Sequence, residues 1–171
     1  MIVHSINDLT KSNIVSLLET GLSEATGDSL INYHPDYYQN PSNLFYLLNT
    51  GRFQQGNYFV LESNGQYMGS TGWYPYSSDL ALILVRSYVP INHRANYYMS
   101  EFFIPKFLEE TTEFSRLWAT MNGHNQIIYK IFERLAAGKS VGWPEIYKLF
   151  KPVGQRIVNN VQQYVVEYRR S

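Results

Sequence analysis

The stretch "YVPINHRANYYMSEFF" (88–103) concentrates side chains that could do chemistry. Asn92, His93, Arg94 and Asn96 lie between an apolar run that ends at Val89 and an aromatic run that opens at Tyr97. A strand that enters a helix through a short polar turn offers backbone N–H groups and the positive end of the helix dipole to an anion. A cationic Arg94 adds to that attraction. Such turns usually carry glycines, which leave room for the ligand against the backbone. None of residues 88–103 is glycine. Two readings therefore stand: a phosphate-binding turn, or an ordinary helix start with a solvated or ion-paired arginine.

Other constellations carry less. His34 and Asp36 are two residues apart, but no third ligand follows at a metal-binding spacing. Residues 69–72 (GSTG) lack the lysine and the length of a P-loop. Ser87 has no nucleophile elbow around it. The chain contains no cysteine, which removes disulfides, thiolate metal sites and cysteine nucleophiles. Its formal net charge is zero, which argues against nucleic-acid binding by broad phosphate neutralisation. The pair Arg169 and Arg170 is too small a cluster to change that. No apolar run approaches the roughly 18 residues of a membrane span. The opening "MIVHSINDLT" lacks the basic and apolar regions of a signal peptide. The expectation is a soluble cytoplasmic protein with no nucleic-acid or membrane partner. With 171 residues, 44% hydrophobic and 16% charged, the chain is expected to form one domain over residues 1–171. Fifteen tyrosines fit either aromatic-lined binding surfaces or compositional drift.

The elements that must position these residues follow from pattern. "IVHSI" (2–6) reads as a short strand. Asp8 can cap a helix over residues 9–25, where Leu9, Ile14, Leu17, Leu18 and Leu22 fall near helical spacing, and Gly27 ends it. A loop rich in Pro, Asn, Asp and Tyr (28–42) leads to a second helix ending at Gly51. "NYFVLES" (57–63) and residues 66–76 form a hairpin through Asn64-Gly65, whose residues accept positive φ. Gly69 and Gly72 inside the second run signal a bulge or a close backbone approach. Residues 80–89 (LALILVRSYV) are almost continuously apolar, as in a central strand covered on both faces. A helix over 94–110, kinked by Pro105, leads to a strand at 116–122. Strand, helix, strand implies a parallel pair. Asn125 can cap a helix over 126–137 that stops at Gly138, and residues 150–169 read as a final hairpin around Asn159-Asn160.

This order of elements resembles the GCN5-related N-acetyltransferase (GNAT) superfamily over nearly the whole chain. Two stretches carry the resemblance at residue level. The family's fourth strand typically ends V-x-P-x-x-R-G-x-G-x-G/A; here Val89 and Arg94 stand five apart, with Pro90 one place early. The later family signature N-x-x-A-x-x-x-Y-E-K-L-G-F is matched in spacing by Asn125 and "FERLA" (132–136). Proteins of this general look also occur in bacteriophage genomes. The resemblance implies an α/β (α+β) fold: a mixed, mostly antiparallel sheet of six to seven strands, helices on both faces and a splayed central parallel pair. It implies acyl transfer from acetyl-CoA or another acyl-CoA to a small-molecule or peptide amine, or a catalytically degenerate protein that keeps the fold. The implied cofactor-binding residues are Val89, Arg94, Ala95, Asn96, Tyr97 and Asn125.

The residues also depart from the family pattern. The three small positions of the turn are Ala95, Tyr97 and Met99. The family's acid, often a tyrosine, aligns with Phe132; Tyr129, one turn earlier on the same helix face, is the substitute, with a core residue as its other reading. No Asp or Glu lies between Leu80 and Pro90, so a base must come from elsewhere, with His93, His124 and Glu62 as candidates. In this fold the loop between the first two helices lies over the acceptor cleft. That implies acceptor contacts from Tyr33, His34 and Tyr37, with Trp73 facing them. An inward-packed loop is the alternative. The segment after Gly138 is longer than the family's turn and could cover the cleft or form a partner surface. The β-rich C-terminus leaves a homodimer open.

Overall fold

The computed structural model describes residues 1–6, 16–17, 19–21, 52–122, 126–158 and 160–170. Seven strands form one sheet: β1 (Ile2–Ser5), β2 (Asn57–Ser63), β3 (Gln66–Pro75), β4 (Leu80–Tyr88), β5 (Arg116–Asn122), β6 (Phe150–Val158) and β7 (Val161–Arg169), in the order β1-β2-β3-β4-β5-β7-β6. Every neighbouring pair is antiparallel except β4 and β5. The mixed, mostly antiparallel sheet with one central parallel pair is the expected fold. Asn64 and Gly65 both take positive φ between β2 and β3, as that dipeptide allows. The expected helices over 9–25 and up to Gly51 lie largely outside the described residues.

Two cores, one on each face, hold the sheet. Phe59, Leu61, Ala81, Ile83, Leu117 and Val166 pack against α1 (Ile104–Glu110) and α2 (Gln126–Ala136), through Phe107, Tyr129, Phe132 and Leu135. Tyr58, Val60, Tyr67, Leu82 and Tyr88 form the opposite core with Phe53 and Leu17. Alternation along β2 assigns its residues to the two faces in turn. Gly72 is required by close approach: a Cβ there would lie 2.5 Å from the Tyr58 ring and 2.7 Å from Phe53. Gly69, at φ +155, opposes Leu61, next to the register shift between β2 and β3.

The connection from β4 to β5 departs from one long helix. A 3-10 turn covers Ile91–Asn96, Tyr97 takes the left-handed conformation (φ 55, ψ 38), and Met99–Phe103 forms a wide π turn that runs into α1. The N–H of Ile104 bonds to the carbonyl of Met99, five residues back. Pro105 therefore sits in the first turn of the α-helical part, where its missing N–H is tolerated. At the far end, the Arg170 guanidinium donates to the carbonyls of Leu108, Thr111 and Phe114 at 2.6–2.8 Å, closing the C-terminal end of α1. Among the described residues no helix is long and apolar enough to cross a membrane.

Candidate functional site

The centre of the sheet is where its regularity fails. β4 and β5 pair from Leu80↔Arg116 to Ile83↔Ala119, and among the described residues the ladder between them goes no further. β5 continues against β7 as far as Asn122↔Gln163. β4 meanwhile stays with β3, but with two register shifts. Gly72↔Val85 follows Tyr74↔Leu82, and Ser70↔Tyr88 follows Gly72↔Val85, so β4 uses three residues against two of β3, twice. Each extra residue coincides with a positive φ, 55° at Leu84 and 53° at Arg86. Left-handed backbone in a non-glycine residue costs about 1–2 kcal/mol, so two in one strand mark a strained segment held by its surroundings. Exposure follows the same line: Leu80–Ile83 are buried, whereas residues 84–87 are half-exposed in the middle of a seven-stranded sheet.

Hydroxyl groups hold this double bulge. Ser87 Oγ donates to the Leu84 carbonyl at 2.7 Å and lies 2.6 Å from Thr71 Oγ1. Tyr58 Oη donates to the Arg86 carbonyl at 3.0 Å and is also 3.0 Å from Ser70 Oγ, which is bonded in turn to Tyr67. Burial pushes the Tyr58 phenol up to about 12, against the hydrogen bond with Ser70 and the charge of Arg86. Tyr58 stays protonated and remains a donor at neutral pH. Sequence reading missed these residues. The signals were there, in the hydroxyls of Ser70, Thr71 and Ser87 beside the flagged glycines, but an isolated Ser or Thr in a strand pattern says nothing of its partner.

The polar turn follows directly. Val89 packs against the helix-side core. Arg94, Ala95 and Asn96 belong to the 3-10 turn. Arg94 is thus brought to the end of β4 and just ahead of the helical segment, the arrangement its spacing implies for the backbone. Tyr97, at a glycine position of the family pattern, adopts the glycine-like conformation itself and is 42% exposed. Its carbonyl accepts from Ser100 Oγ at 2.9 Å and from the Glu101 N–H at 3.0 Å. Tyr98 is buried and stacks on His93, and Met99 packs into the core. Asn125 and His124 lie outside the described residues.

Tyr129 is buried, its ring centroid 4.7 Å from that of Tyr164. Burial raises its phenol, partly offset by a hydrogen bond from the Gly154 backbone at the β6 irregularity. Phe132 lies edge-on to Trp143, Tyr147 and Phe150. The extended segment after Gly138 therefore lies on the helix side. Burial raises the Tyr147 phenol, against a hydrogen bond with Ser100, and Tyr97 stands close enough to raise it further. This segment ties α2 to the turn that follows β4.

On the acceptor side, Tyr33, His34 and Tyr37 lie outside the described residues. Trp73 is buried against Phe114 with its Nε1 donating to Glu110 at 3.3 Å, and Asn57 Nδ2 donates to the same carboxylate at 2.8 Å. Trp73 thus closes the helix-side core near the end of α1, and its backbone stands opposite the first bulge, between Gly72↔Val85 and Tyr74↔Leu82. Glu62 lies 3.4 Å from His4 Nε2 on β2, two strands from β4.

No protein-family model and no curated protein sequence matches the chain. Solved structures do. A GNAT-family protein from Desulfovibrio desulfuricans superposes with a TM-score of 0.63 at 12% identity, over 98% of this chain and 99% of that one. A ribosomal-protein-alanine N-acetyltransferase from Brucella melitensis gives 0.64 at 13% identity, over 99% of both chains. YncA from Salmonella typhimurium, solved with its cofactor acetyl-CoA, gives 0.63 at 11% identity, over all of this chain and 94% of that one. The chain has the fold of the GNAT acetyltransferases.

Proposed function

We propose that the protein is a divergent GNAT N-acyltransferase that moves an acetyl or other acyl group from a CoA thioester to a small-molecule or peptide amine. The observation that carries this reading is the double bulge at Leu84 and Arg86, set where β4 parts from β5. Bulges next to active sites re-aim backbone groups, and strained backbone clusters where ligands are gripped. Backbone donors of β4 would hold the thioester carbonyl. The turn at 91–96, with Arg94, would take the pyrophosphate of acetyl-CoA or another acyl-CoA, assisted by Val89, Ala95, Asn96, Tyr97 and Asn125. The amine nitrogen attacks the thioester carbon, the carbonyl oxygen gathers charge against the strand donors, and the C–S bond breaks. The amine loses a proton and the thiolate gains one. Positioning and carbonyl polarisation supply most of the rate in such a site. An acceptor wall of Tyr33, His34, Tyr37 and Trp73 remains part of the proposal, as does Tyr129 as the proton donor to the leaving sulfur.

Titrating acetyl-CoA while following thermal unfolding tests the donor. At about a hundredfold excess over Kd the expected gain is about 3 kcal/mol, or several degrees in Tm. Arg94→Ala should weaken the effect, most strongly at low salt. If millimolar acetyl-CoA leaves Tm unchanged and gives no heat of binding, the reading has lost its donor.

The burial of Phe132 and Tyr129 favours a second reading, a binding protein that keeps the donor groove without transferring the acyl group. Release of free CoA thiol in the presence of mixed amines separates the two. Acetyl-CoA binding without thiol release supports the second reading, and amine-dependent release abolished by Arg94→Ala sinks it.

A further inference from the structure

We propose that two hydroxyl relays, Tyr67–Ser70–Tyr58 and Thr71–Ser87, are positioning elements that hold the two left-handed residues of β4 and so aim the strand's N–H groups at the ligand. The inference rests on the acyl-CoA reading above and assigns residues to it. Each left-handed residue has its carbonyl taken by a hydroxyl, Leu84 by Ser87 at 2.7 Å and Arg86 by Tyr58 at 3.0 Å. A hydroxyl has one proton to give. Tyr58 Oη shares its proton between the Arg86 carbonyl and Ser70 Oγ, both at 3.0 Å, and Ser70 Oγ is bonded in turn to Tyr67 Oη, which also reaches the Tyr88 carbonyl at 3.4 Å. Ser87 spends its proton on Leu84 and accepts from Thr71. Tyr58, Tyr67, Ser70 and Thr71 are all buried, where hydroxyls are kept satisfied.

The two relays come from opposite faces of the sheet. Tyr58 and Tyr67 belong to the core on the Leu17 face. Thr71 pairs with Phe59, which belongs to the core under α1 and α2. The peptide unit is planar and trans, so a carbonyl and the N–H of the next residue point in opposite directions. Turning the Arg86 carbonyl toward Tyr58 therefore turns the Ser87 N–H away from it, toward the face where α1 and α2 pack. Ser87 is thus fixed twice, its side chain by Leu84 and Thr71 and its amide by the grip on Arg86. We assign the Ser87 N–H as the donor that the longer relay aims at the thioester carbonyl.

The test compares wild type, Tyr58→Phe, Ser87→Ala and a packing control, Val60→Ala, which thins the same core and leaves every hydroxyl in place. Acetyl-CoA affinity is measured by calorimetry, Tm by thermal unfolding, and the amides of Val85–Tyr88 by nitrogen-15 NMR. Loss of one aimed hydrogen bond should weaken acetyl-CoA binding about tenfold in Tyr58→Phe and displace the Ser87 amide signal. Ser87→Ala should weaken binding similarly. Val60→Ala should lower Tm while leaving affinity and the Ser87 signal near wild type. If wild type binds acetyl-CoA and Tyr58→Phe binds it equally well, the relay is structural only and the inference is overturned, while the donor reading survives. An equal loss of affinity in Val60→Ala also overturns it. If wild type binds no acetyl-CoA, the donor reading fails, and with it the ligand-aiming role assigned here. The amide spectrum then decides whether the relay sets the bulge: a Tyr58→Phe spectrum that superposes on wild type over residues 85–88 rules that out as well.

Discussion

Tyr97 is the residue on which the proposed donor site turns. It stands where the family pattern has a small residue, and its backbone takes the left-handed conformation that glycine adopts without strain. A bulky residue at this φ costs about 1–2 kcal/mol, and an exposed ring recovers little of that by burial. Tyr97→Gly is expected to stabilise the protein by about 1 kcal/mol in urea unfolding, because relief of strain outweighs the extra freedom of the unfolded glycine. The same change should tighten acetyl-CoA binding by clearing the turn. A destabilised variant would mean instead that the Tyr97 ring holds the turn through the neighbouring Tyr147. Tyr33, His34 and Tyr37, proposed for the acceptor, and Asn125, proposed for the donor, lie outside the described residues and are tested by substitution alone.

At the scale of elements, the connection from β4 through α1 is assembled from poor helix and good caps. A 3-10 turn, a left-handed residue and a π turn precede the only α-helical part, so few regular i→i−4 bonds support it. Its C-terminal end depends on Arg170, whose guanidinium serves three carbonyls from the far end of the chain. Removing a charged donor that serves three carbonyls typically costs about 2 kcal/mol. Arg170→Ala should lower stability by about that amount. Arg169→Ala, which loses one contact from a mostly exposed arginine to Glu167, whose carboxylate keeps Trp118 and Arg116 as partners, should change it by less than about 1 kcal/mol. Comparable losses in chemical unfolding would contradict the capping role. The arginine pair that looked like a small basic patch is thus spent within the fold.

At the scale of the whole molecule, two cores share one sheet, and their buried ionisable groups set how stability responds to pH. Burial pushes the Glu167 carboxyl up, but hydrogen bonds from Trp118 and Arg169 and the charges of Arg169 and Arg116 outweigh it, so the group titrates below the usual carboxylate range. A depressed carboxylate stabilises the fold above its unfolded value and loses that contribution as pH falls through its folded value. Tyr58 works in the other direction: raised from 10.0 to about 12, it stabilises fully below pH 10, and the contribution drains away as pH rises toward 12. Tm against pH should fall at both ends. Glu167→Gln should flatten the acid limb and Tyr58→Phe the alkaline limb. Limbs unchanged in both variants would show that other groups control them.

Among the described residues, the sequence alone determined the order of the strands, the hairpin at Asn64-Gly65, the strands at 57–63, 116–122, 150–158 and 161–169, and the parallel pair. These are local matters: period, turn chemistry and the length of a crossover are written in neighbouring residues. The place of Arg94 after the central strand was legible for the same reason, through its spacing from Val89. Tertiary structure decided the rest. Pattern showed residues 80–89 as one continuous buried strand, yet beyond Ile83 that strand bulges twice and leaves β5. Nothing in "LVRSY" announces left-handed backbone at Leu84 and Arg86, since the conformation is imposed by hydroxyls on β2, β3 and Ser87, most of them distant in sequence. Likewise the expected single helix over 94–110 broke at Tyr97 and widened ahead of Pro105, where packing of Tyr98, Met99 and Phe103 into the core overrode helical propensity. Side chains that act on a backbone tens of residues away leave no periodic trace, and in this protein those are the residues that shape the site.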